Sequence, residues 1–346
     1  MMRAVVYREP GRVEVADVPR PVLVADTDAI VRVHLAGICG TDLHVVRGDF
    51  QGMHPGMVVG HEFVGEVVEA GAAVKRFRIG DRVMSSDFTA CGRCHWCDEG
   101  DHWHCGERAF FGTGTAFGPS LSGAQAEYVR VPHADTTLGE LPAGCSPEAG
   151  LLMADNLATG WIAAERAGVG AGDTVVVMGG GAVGQLTALS AQALAAGIVI
   201  VIEPSEGRRD FARAQGNLAV HPDEASALVG RLTDGRGADA VLEAVGSAGP
   251  LDAALALLRP RGRVVSVGAH AAESWSFPLA RAFAAELSVS FAIGNAIRLR
   301  RKLLRLVASG AFDPTVVIDA RGALADAPAL YAELGAQRRL KAVVSP

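Results

Sequence analysis

Four cysteines fall within fifteen residues of the chain, at Cys91, Cys94, Cys97 and Cys105. Thiolates at this C-x2-C-x2-C-x7-C spacing can surround one tetrahedral Zn²⁺ ion, and a site filled by four protein ligands has no open position for a substrate. We therefore predict a structural zinc that stabilises a loop. Two disulfides or four unrelated thiols are the alternatives, and the lack of a secretory pattern disfavours the disulfides. Iron–sulfur clusters also use four cysteines, but their usual spacings differ.

A glycine-rich segment, GGGAVG at residues 179–184, follows an apolar stretch and precedes a predicted helix over 185–196. A G-x-G-x-x-G pattern alone is a weak signal. With a strand before it, a helix after it and an acidic residue about 20 positions later, it predicts a dinucleotide site. Gly179 then allows the tight turn, Gly181 lets the backbone approach the pyrophosphate, and Gly184 lets helix and strand pack closely. The phosphates meet the positive end of the helix.

Glu203 ends the second apolar stretch and decides the cofactor preference. A carboxylate here can bind both ribose hydroxyls and repels a 2′-phosphate, so we predict NAD(H) rather than NADP. Arg208 and Arg209 follow closely, and an arginine near the site could accommodate that phosphate. We count Arg208 among the candidate cofactor-binding residues.

The elements that would position these residues differ between two parts of the chain. Up to about residue 150, short alternating segments broken by Gly, Pro and Asp predict β-rich structure. From about residue 155, apolar strands alternate with Ala- and Leu-rich helices, which predicts a parallel sheet covered on both faces. These predicted strands are 174–178, 198–202, 238–243 and 263–267.

Charge and hydropathy argue against nucleic acid and membranes as partners. The net charge of −6 gives the chain no general attraction for nucleic acid. No apolar run reaches membrane-spanning length without Gly, Gln or a charge, and the first residues lack the apolar core of a signal peptide. We expect a cytoplasmic protein without nucleic-acid or membrane partners. The basic stretch 298–306 has leucines at helical spacing, and we interpret it as a solvated helix face over an apolar stripe.

Two further motifs carry a cysteine and histidines, C-G-T-D-x-H at 39–44 and G-H-E-x-x-G at 60–65. With the four-cysteine loop and the nucleotide fingerprint, in this order, they resemble the zinc-dependent medium-chain alcohol dehydrogenases over essentially the full length. The resemblance implies an α/β protein with a GroES-like, β-rich catalytic domain (1–152) and a doubly wound Rossmann domain that binds NAD (153–293). A C-terminal segment (294–346) returns to the catalytic domain.

The resemblance also implies two Zn²⁺ ions per chain, one structural and one catalytic. By the family pattern Cys39 and His61 are ligands of the catalytic zinc. We choose Asp155 as the third ligand, because its segment is similar to the branch of the family that uses aspartate; Asn156 and Asp135 are the alternatives. Three protein ligands leave one position open, and the two negative charges of Cys39 and Asp155 neutralise Zn²⁺.

Other residues of the two motifs take supporting roles by the same pattern. Glu62 is similar to a residue that can approach the zinc when substrate is absent. We expect Asp42 to accept a hydrogen bond from the free ring nitrogen of His61. In the implied reaction an alcohol is polarised at the zinc, and its proton leaves through the Thr41 hydroxyl, a ribose hydroxyl and His44 while hydride passes to the nicotinamide. The family pattern places Thr159 and Val183 against the nicotinamide and Lys341 against the pyrophosphate.

We therefore predict hydride transfer between an alcohol, or its aldehyde or ketone, and NAD. The same chemistry on a polyol, sugar or biosynthetic intermediate is one alternative, although polyol dehydrogenases commonly have Glu at the position of Asp155. Another is a non-catalytic dinucleotide-binding sensor, which would be expected to lose the catalytic ligands. Four aromatic residues either line the substrate pocket or pack in the core: Phe88, Trp103, Phe110 and Phe111.

Residues 286–293 resemble the edge strand through which members of this family pair across a two-fold axis. An apolar edge strand needs cover, because its unpaired backbone groups otherwise invite other strands. We expect a homodimer or a homotetramer.

Overall fold

The computed structural model describes residues 1–310 and 312–346. They form two compact units, the first made of 1–158 and 295–346 and the second of 159–294.

The elements are numbered in chain order. Nine strands precede residue 158: β1 (Met2–Glu9), β2 (Arg12–Val18), β3 (Ala29–Ile38), β4 (Phe63–Ala70), β5 (Arg82–Met84), β6 (Phe110–Phe111), β7 (Ser120–Leu121), β8 (Tyr128–Val131) and β9 (Gly139–Glu140). The helices that begin in the same part are α1 (Gly40–Arg47), α2 (His95–Asp98), α3 (Ala134–Thr137), α4 (Pro147–Ala154) and α5 (Asn156–Arg166).

The strands of the second unit are β10 (Thr174–Met178), β11 (Ile198–Ile202), β12 (Leu218–Val220), β13 (Ala238–Glu243), β14 (Leu258–Ser266) and β15 (Ser288–Phe291). Its helices are α6 (Ala182–Ala193), α7 (Glu206–Ala214), α8 (Pro222–Leu232), α9 (Ala248–Leu257) and α10 (Leu279–Ala284). The chain then returns to the first unit with α11 (Ala296–Ala308), β16 (Ala320–Ala323), α12 (Ala327–Gly335) and β17 (Ala342–Ser345). Short 3-10 helices cover His102–His104, Pro314–Val317 and Leu324–Asp326.

The first unit is built on a sheet in the order β16-β17-β3-β4-β5-β9, with β8 also paired to β3. The central strands β3 and β4 are antiparallel and carry Val31, Val33, Phe63 and Val67 into the core. The rings of Phe63 and Phe111 meet edge to face at 5.3 Å, a favourable aromatic geometry. The β-rich character predicted for the first 150 residues is what this unit shows.

Helix α4 explains why the first boundary differs from the predicted one at 152/153. It packs against β3, β4 and β5, so the first unit continues through residue 158. The predicted boundary at 293/294 lies one residue before the observed one.

The second unit contains a parallel sheet in the order β12-β11-β10-β13-β14-β15. Its first strand along the chain, β10, is central and buried at every residue, as expected of a sheet covered on both faces. The strand order reverses between β10 and β13, and dinucleotides bind beyond the carboxyl ends of strands at such a switch point. The predicted bounds of β10, β11 and β13 are confirmed, whereas β14 begins at Leu258 rather than at 263.

Helix α6 begins at Ala182, three residues earlier than predicted, because Gly181 already serves as its N-cap. In α11 the side chains of Leu299 and Leu303 are buried, as the leucine spacing of the basic stretch predicts. No helix in the described part of the chain is both long enough and apolar enough to cross a lipid bilayer.

Candidate metal centre and dinucleotide site

Strands β3 and β4 bring a cysteine and a histidine together. Cys39 directly follows β3, and His61 lies two residues before β4. The strands pair antiparallel with Ala36 opposite Phe63, so the end of β3 lies beside the start of β4. Helix α4 packs against both strands and ends just before Asp155, which brings this carboxylate to the same place.

The structure groups Cys39, His61, Glu62 and Asp155 in one buried cluster, with one donor atom from each within 4.8 Å of the others. Cys39 Sγ and His61 Nε2 each lie 3.4 Å from Asp155 Oδ2. Ligand atoms about 2.0–2.3 Å from a tetrahedral zinc ion stand about 3.3–3.8 Å apart, so this spacing fits such an ion. His61 Nε2 is buried and makes no hydrogen bond within the described residues, which leaves its lone pair for a metal.

Of the three candidates for the third zinc ligand, one has an oxygen atom that faces Cys39 and His61. The Asp135 carboxylate accepts hydrogen bonds from the backbone of Lys75 and Arg76, each at 2.9 Å, and is not part of the cluster. Asn156 lies beside the cluster but directs its amide nitrogen at the acidic groups, as a donor. Asp155 is the candidate whose oxygen faces Cys39 and His61.

Several acidic side chains lie close together in this buried cluster. Burial raises the pKa of Cys39, and the charges of Asp155 and Glu62 raise it further. Burial likewise raises the pKa of Glu62 to about 7, although the Lys341 ammonium opposes that rise. Both shifts express the cost of gathering anionic groups away from water, a cost that a divalent cation removes.

Hydrogen bonds fix the orientation of His61 as the motif predicts. Asp42 Oδ1 lies 2.9 Å from His61 Nδ1, and Asp42 Oδ2 accepts from the backbone nitrogen of Cys39 at 2.9 Å. Gln125 extends the network, since its Oε1 accepts from the Tyr331 hydroxyl at 3.0 Å and its Nε2 donates to Gly37. In the neutral ring, a proton on Nδ1 donated to Asp42 leaves the lone pair of Nε2 available to a metal.

The structure places the Lys341 ammonium against Glu62, and its predicted contact with the pyrophosphate stays a prediction. Its side chain is buried, and its Nζ donates to Glu62 Oε2. Strand β17 pairs with β3 so that Ala342 lies opposite Ile38, which brings Lys341 to the metal cluster. A buried ammonium requires a buried counter-charge, and Glu62 supplies it. A Cβ at Gly37 would lie 1.9 Å from Glu62 Oε2, so this pair depends on a glycine beside it.

Thr41 and His44 lie on successive turns of α1, which begins directly after Cys39. Both side chains are half-buried. His44 Nδ1 is 2.7 Å from Asp49 Oδ2, and its ring packs 5.7 Å from the ring of Phe50. Asp49 was missed in the sequence, because a carboxylate two residues beyond a helix end carries no motif of its own.

The four predicted aromatic residues divide between the metal cluster and the core. Phe110 packs 5.3 Å from the ring of His61 and 6.1 Å from Trp103, which in turn meets Phe88 at 5.3 Å. Phe111 instead packs in the main core. Phe110, with Trp103 and Phe88 behind it, forms an apolar wall on one side of His61.

The four-cysteine loop is arranged as a metal site. The four sulfur atoms lie within 4.8 Å of one another, with Cys97 Sγ 3.6 Å from Cys94 Sγ and 4.0 Å from Cys91 Sγ. Sulfurs about 2.3 Å from a tetrahedral zinc stand about 3.8 Å apart, so the spacing fits. Backbone N–H groups of Gly92 and Glu107 point at the sulfurs of Cys97 and Cys105. All six cysteines of the chain are free of disulfides.

The glycines of the fingerprint have the conformations that the pattern predicts. Gly179 has a φ of 93°, in the left-handed region that favours glycine. A Cβ at Gly184 would lie 1.9 Å from the carbonyl oxygen of Gly179, so helix and strand pack closely there. A Cβ at Gly181 would meet nothing within 4 Å, which leaves open space at the N-terminus of α6.

Glu203 is held beside this glycine turn. Its Oε2 accepts from the backbone of Gly180 at 2.7 Å and its Oε1 from the backbone of Ser205 at 2.9 Å. Arg209 donates to the carbonyl oxygens of Glu203 and Pro204, at 2.8 and 2.6 Å. Arg209 therefore supports the loop after β11.

The remaining predicted cofactor residues also belong to the second unit. Val183 is half-buried in the first turn of α6, and Arg208 is half-buried in α7. Thr159 is buried in α5, and its Oγ1 would lie 2.3 Å from a Cβ at Gly294.

A polar cluster that no sequence motif indicated lies at the carboxyl ends of β13 and β14. Ser266 Oγ donates to Glu243 Oε2 at 2.6 Å and lies 2.8 Å from His270 Nε2. Glu243 Oε1 accepts from the backbone of Val245 and Gly246. A glutamate that ends an apolar strand, as Glu203 also does, was the available signal.

Comparisons with known proteins identify the family of the chain. The chain matches the family "Alcohol dehydrogenase GroES-like domain" over residues 25–143 and the family "Zinc-binding dehydrogenase" over residues 182–309. It is 37% identical over 313 residues to a protein of Mycobacterium tuberculosis named "probable zinc-binding alcohol dehydrogenase", a match that covers 90% of this chain and 80% of the relative.

Solved structures resemble the fold over its full length. The alcohol dehydrogenase from Thermus sp. ATN1 has a TM-score of 0.94 and 36% identity, covering 99% of each chain. A protein from Sinorhizobium meliloti 1021, described as a zinc-binding dehydrogenase and solved with NADP, has a TM-score of 0.86 and 31% identity, covering 100% of this chain and 99% of its own. The chain therefore belongs to the zinc-dependent medium-chain alcohol dehydrogenase family and is a dinucleotide-dependent oxidoreductase.

Proposed function

We propose that the chain transfers hydride between an alcohol, or the corresponding aldehyde or ketone, and NAD, with a catalytic zinc held by Cys39, His61 and Asp155. The observation that carries the proposal is the buried cluster in which Cys39 Sγ and His61 Nε2 both lie 3.4 Å from Asp155 Oδ2. Bound zinc would polarise the substrate oxygen and make its hydroxyl proton more acidic.

The side chains of the cluster prepare this chemistry. A thiolate and a carboxylate supply two negative charges, which balance a divalent ion. Asp42 fixes the imidazole of His61 through Nδ1, at 2.9 Å. The ring of Phe110 excludes water from one side of His61 and suits the carbon chain of an alcohol.

We propose that Thr41 and His44 carry the hydroxyl proton towards solvent. They lie one turn apart on α1, which begins directly after Cys39. His44 retains partial exposure, so it can exchange a proton with water, and its Nδ1 lies 2.7 Å from Asp49 Oδ2.

The proposed preference for NAD rests on Glu203. Two backbone N–H groups hold its carboxylate beside the glycine turn, where a 2′-phosphate would meet a fixed negative charge. Arg209 is already engaged by two carbonyl oxygens, which reduces its capacity to bind that phosphate. The related Sinorhizobium protein solved with NADP makes this a preference to be measured.

We propose a second, structural zinc on Cys91, Cys94, Cys97 and Cys105, which gives two zinc ions per chain. The sulfur spacings of 3.6 and 4.0 Å support it. Four reduced thiolates require a reducing compartment, which is the basis for proposing a cytoplasmic location.

We propose that the chain forms a homo-oligomer through the edge of the parallel sheet. Strand β15 is an edge strand, and nearby α10 exposes Leu279 and Phe283, at 73% and 88% of their surfaces. Exposed apolar side chains beside an unpaired strand edge mark a surface that a second copy of the chain can cover.

A substrate panel tests the proposed function. Zinc-loaded protein with NAD, and separately with NADP, would be given primary alcohols, secondary alcohols and polyols while formation of reduced cofactor is followed. We expect turnover of simple alcohols with NAD, reduced at least about a hundredfold in Asp155→Ala because a ligand is lost. The control is Asp135→Ala, which removes the rejected candidate ligand and should retain turnover.

Two results would change this account. Turnover of polyols alone would move the substrate class to the alternative. Equal loss of turnover in Asp135→Ala and Asp155→Ala would contradict the proposed ligand set.

A further inference from the structure

Asn156 makes a set of contacts that the reaction scheme does not use. Its side chain is buried, and its Nδ2 lies 2.7 Å from Glu62 Oε1, 2.9 Å from Asp155 Oδ2 and 3.4 Å from Cys39 Sγ. Its Oδ1 is buried and has no hydrogen-bond partner among the described residues. An unpaired buried carbonyl is costly, so fold stability alone does not account for an asparagine at this position.

The amide nitrogen and Lys341 hold Glu62 from two sides. Asn156 Nδ2 donates to Oε1 and Lys341 Nζ donates to Oε2, so both carboxylate oxygens are engaged. The same amide donates to Asp155, which joins the restrained glutamate to a candidate metal ligand. An asparagine supplies two N–H groups, which suffices for these two bonds.

Glu62 needs such restraint because of where it lies. One of its carboxylate oxygens falls within 4.8 Å of the donor atoms of Cys39, His61 and Asp155. If this carboxylate joined the other three donors, the metal would have four protein ligands, and no position would remain for a substrate.

We propose that Asn156 is a positioning residue which, together with Lys341, holds Glu62 away from the metal and so keeps the substrate position open. The proposal rests on the assignment of Cys39, His61 and Asp155 as ligands. Asn156 would then control how many protein ligands the metal has. The effect of removing Asn156 should therefore depend on whether the Glu62 carboxylate is present.

The test replaces the catalytic zinc with Co²⁺, whose visible absorption reports coordination. Asn156→Leu keeps the branched shape and the number of heavy atoms of the side chain and removes its N–H donors. The matched control is Asn217→Leu, because Asn217 is also buried and hydrogen-bonded, to Gln192, but lies in the second unit. Each change is made in the natural chain and in a Glu62→Gln background, which forms a double-mutant cycle.

We expect Asn156→Leu to change the visible Co²⁺ spectrum and to raise KM for the alcohol about ten- to hundredfold, with KM for NAD unchanged. In the Glu62→Gln background the same substitution should change neither quantity, since no carboxylate remains to bind the metal. Asn217→Leu should leave the spectrum and KM for the alcohol unchanged in both backgrounds. If Asn156→Leu does not fold, Asn156→Ser, which keeps one donor, should give a smaller change of the same kind.

The proposal is overturned if the spectrum stays the same in Asn156→Leu, or if it changes equally with and without the Glu62 carboxylate. Failure of the ligand assignment gives a different result. In that case the natural chain itself would show no Co²⁺ spectrum that depends on Cys39, as tested with Cys39→Ser.

Discussion

At the scale of single residues, hydrogen bonds fix the side chains of the candidate metal site formed by Cys39, His61, Glu62 and Asp155. Asp42 joins Cys39 to His61 by accepting from the backbone of one and the ring of the other, at 2.9 Å each. Lys341 and Asn156 hold the neighbouring Glu62. Such preorganised contacts around metal ligands affect metal affinity and activity as much as many direct contacts do.

Glu203 offers a prediction about cofactor choice. Glu203→Gln keeps the size of the side chain and removes its charge. We expect KM for NAD to rise about tenfold and the preference for NAD over NADP to fall about ten- to hundredfold, since hydrogen bonds to a charged group contribute about 1.5–3 kcal/mol. Steady-state kinetics with both cofactors measure this.

The control for this prediction is Glu206→Gln, an exposed acidic residue in the first turn of α7. It should leave the preference unchanged. An unchanged preference in Glu203→Gln would show that this carboxylate does not face the ribose.

The residues of the candidate metal site could be predicted from the sequence, whereas the side chains that contact them could not. The motifs of 39–44 and 60–65 lie at the joined ends of β3 and β4, so their residues come together once these strands pair. The position of Lys341 could not be predicted in this way. It depends on the register of β17 against β3, which brings together residues about 300 positions apart in the chain and leaves no local pattern.

At the scale of elements, the four-cysteine loop has a small apolar core of its own beside the aromatic contacts of Trp103. Its helix α2 has four residues, and the buried apolar cluster around it comprises only Ala90, Cys97 and Cys105, with Ile297 packed against them. Zinc binding contributes about 10–16 kcal/mol in small zinc domains. The metal is therefore expected to be the main cross-link of this loop.

Cys97→Ser tests that expectation. We expect the variant to lose one zinc per chain, to show faster backbone hydrogen exchange in residues 91–105, and to unfold at a lower temperature than the natural chain. Metal analysis, hydrogen exchange and calorimetry measure these changes. Cys145→Ser, at a half-buried cysteine outside both clusters, should change none of them. Retention of both zinc ions in Cys97→Ser would argue against the site.

Two glycines of the turn between β10 and α6 should affect different properties, one the stability of the fold and the other the binding of the cofactor. Gly184→Ala places a methyl group 1.9 Å from the carbonyl of Gly179, and we expect the free energy of unfolding to fall by about 1–3 kcal/mol. Gly181→Ala meets no protein atom within 4 Å, so stability should change by less than about 0.5 kcal/mol while NADH binding weakens. Denaturant unfolding and NADH fluorescence titration measure the two effects. Equal losses of stability would contradict this division.

Strand prediction succeeded where apolar residues run continuously and failed at element ends. The bounds of β10, β11 and β13 follow from apolar runs that end in Gly or Glu. The early part of β14 contains arginine, proline and glycine, and it pairs with β13 through Leu258 opposite Ala238 before the register shifts. Continuous pairing with β13 resumes at Arg263, the residue at which the strand was predicted to begin.

At the scale of the whole molecule, the proposed self-association would cover the exposed apolar residues of α10, Leu279 and Phe283. The double substitution Leu279→Asp and Phe283→Asp should weaken self-association at least about a hundredfold, since burying each apolar side chain contributes about 1.5–3 kcal/mol. Sedimentation measures the mass over a concentration series.

Ile79→Asp is the matched control, because Ile79 is 71% exposed but lies in the other unit. It should leave the mass of the assembly unchanged. If the double variant and the natural chain have the same mass at every concentration, the proposed interface is wrong.

The division of the chain into a β-rich unit and a parallel α/β unit followed from the change of sequence texture near residue 150. The first boundary depended on α4, whose apolar composition fits either unit. Helix α4 belongs to the first unit because it packs on β3, β4 and β5. There it places Asp155 in the candidate metal site.

The most direct test of the account is the location of zinc in a crystal of the metal-loaded protein, by anomalous scattering at the zinc edge. We predict two peaks per chain, one bounded by Cys39, His61 and Asp155, and the other among the four cysteines of residues 91–105. A peak in the four-cysteine loop alone, with the first cluster metal-free in protein that turns over alcohol, would contradict the central claim.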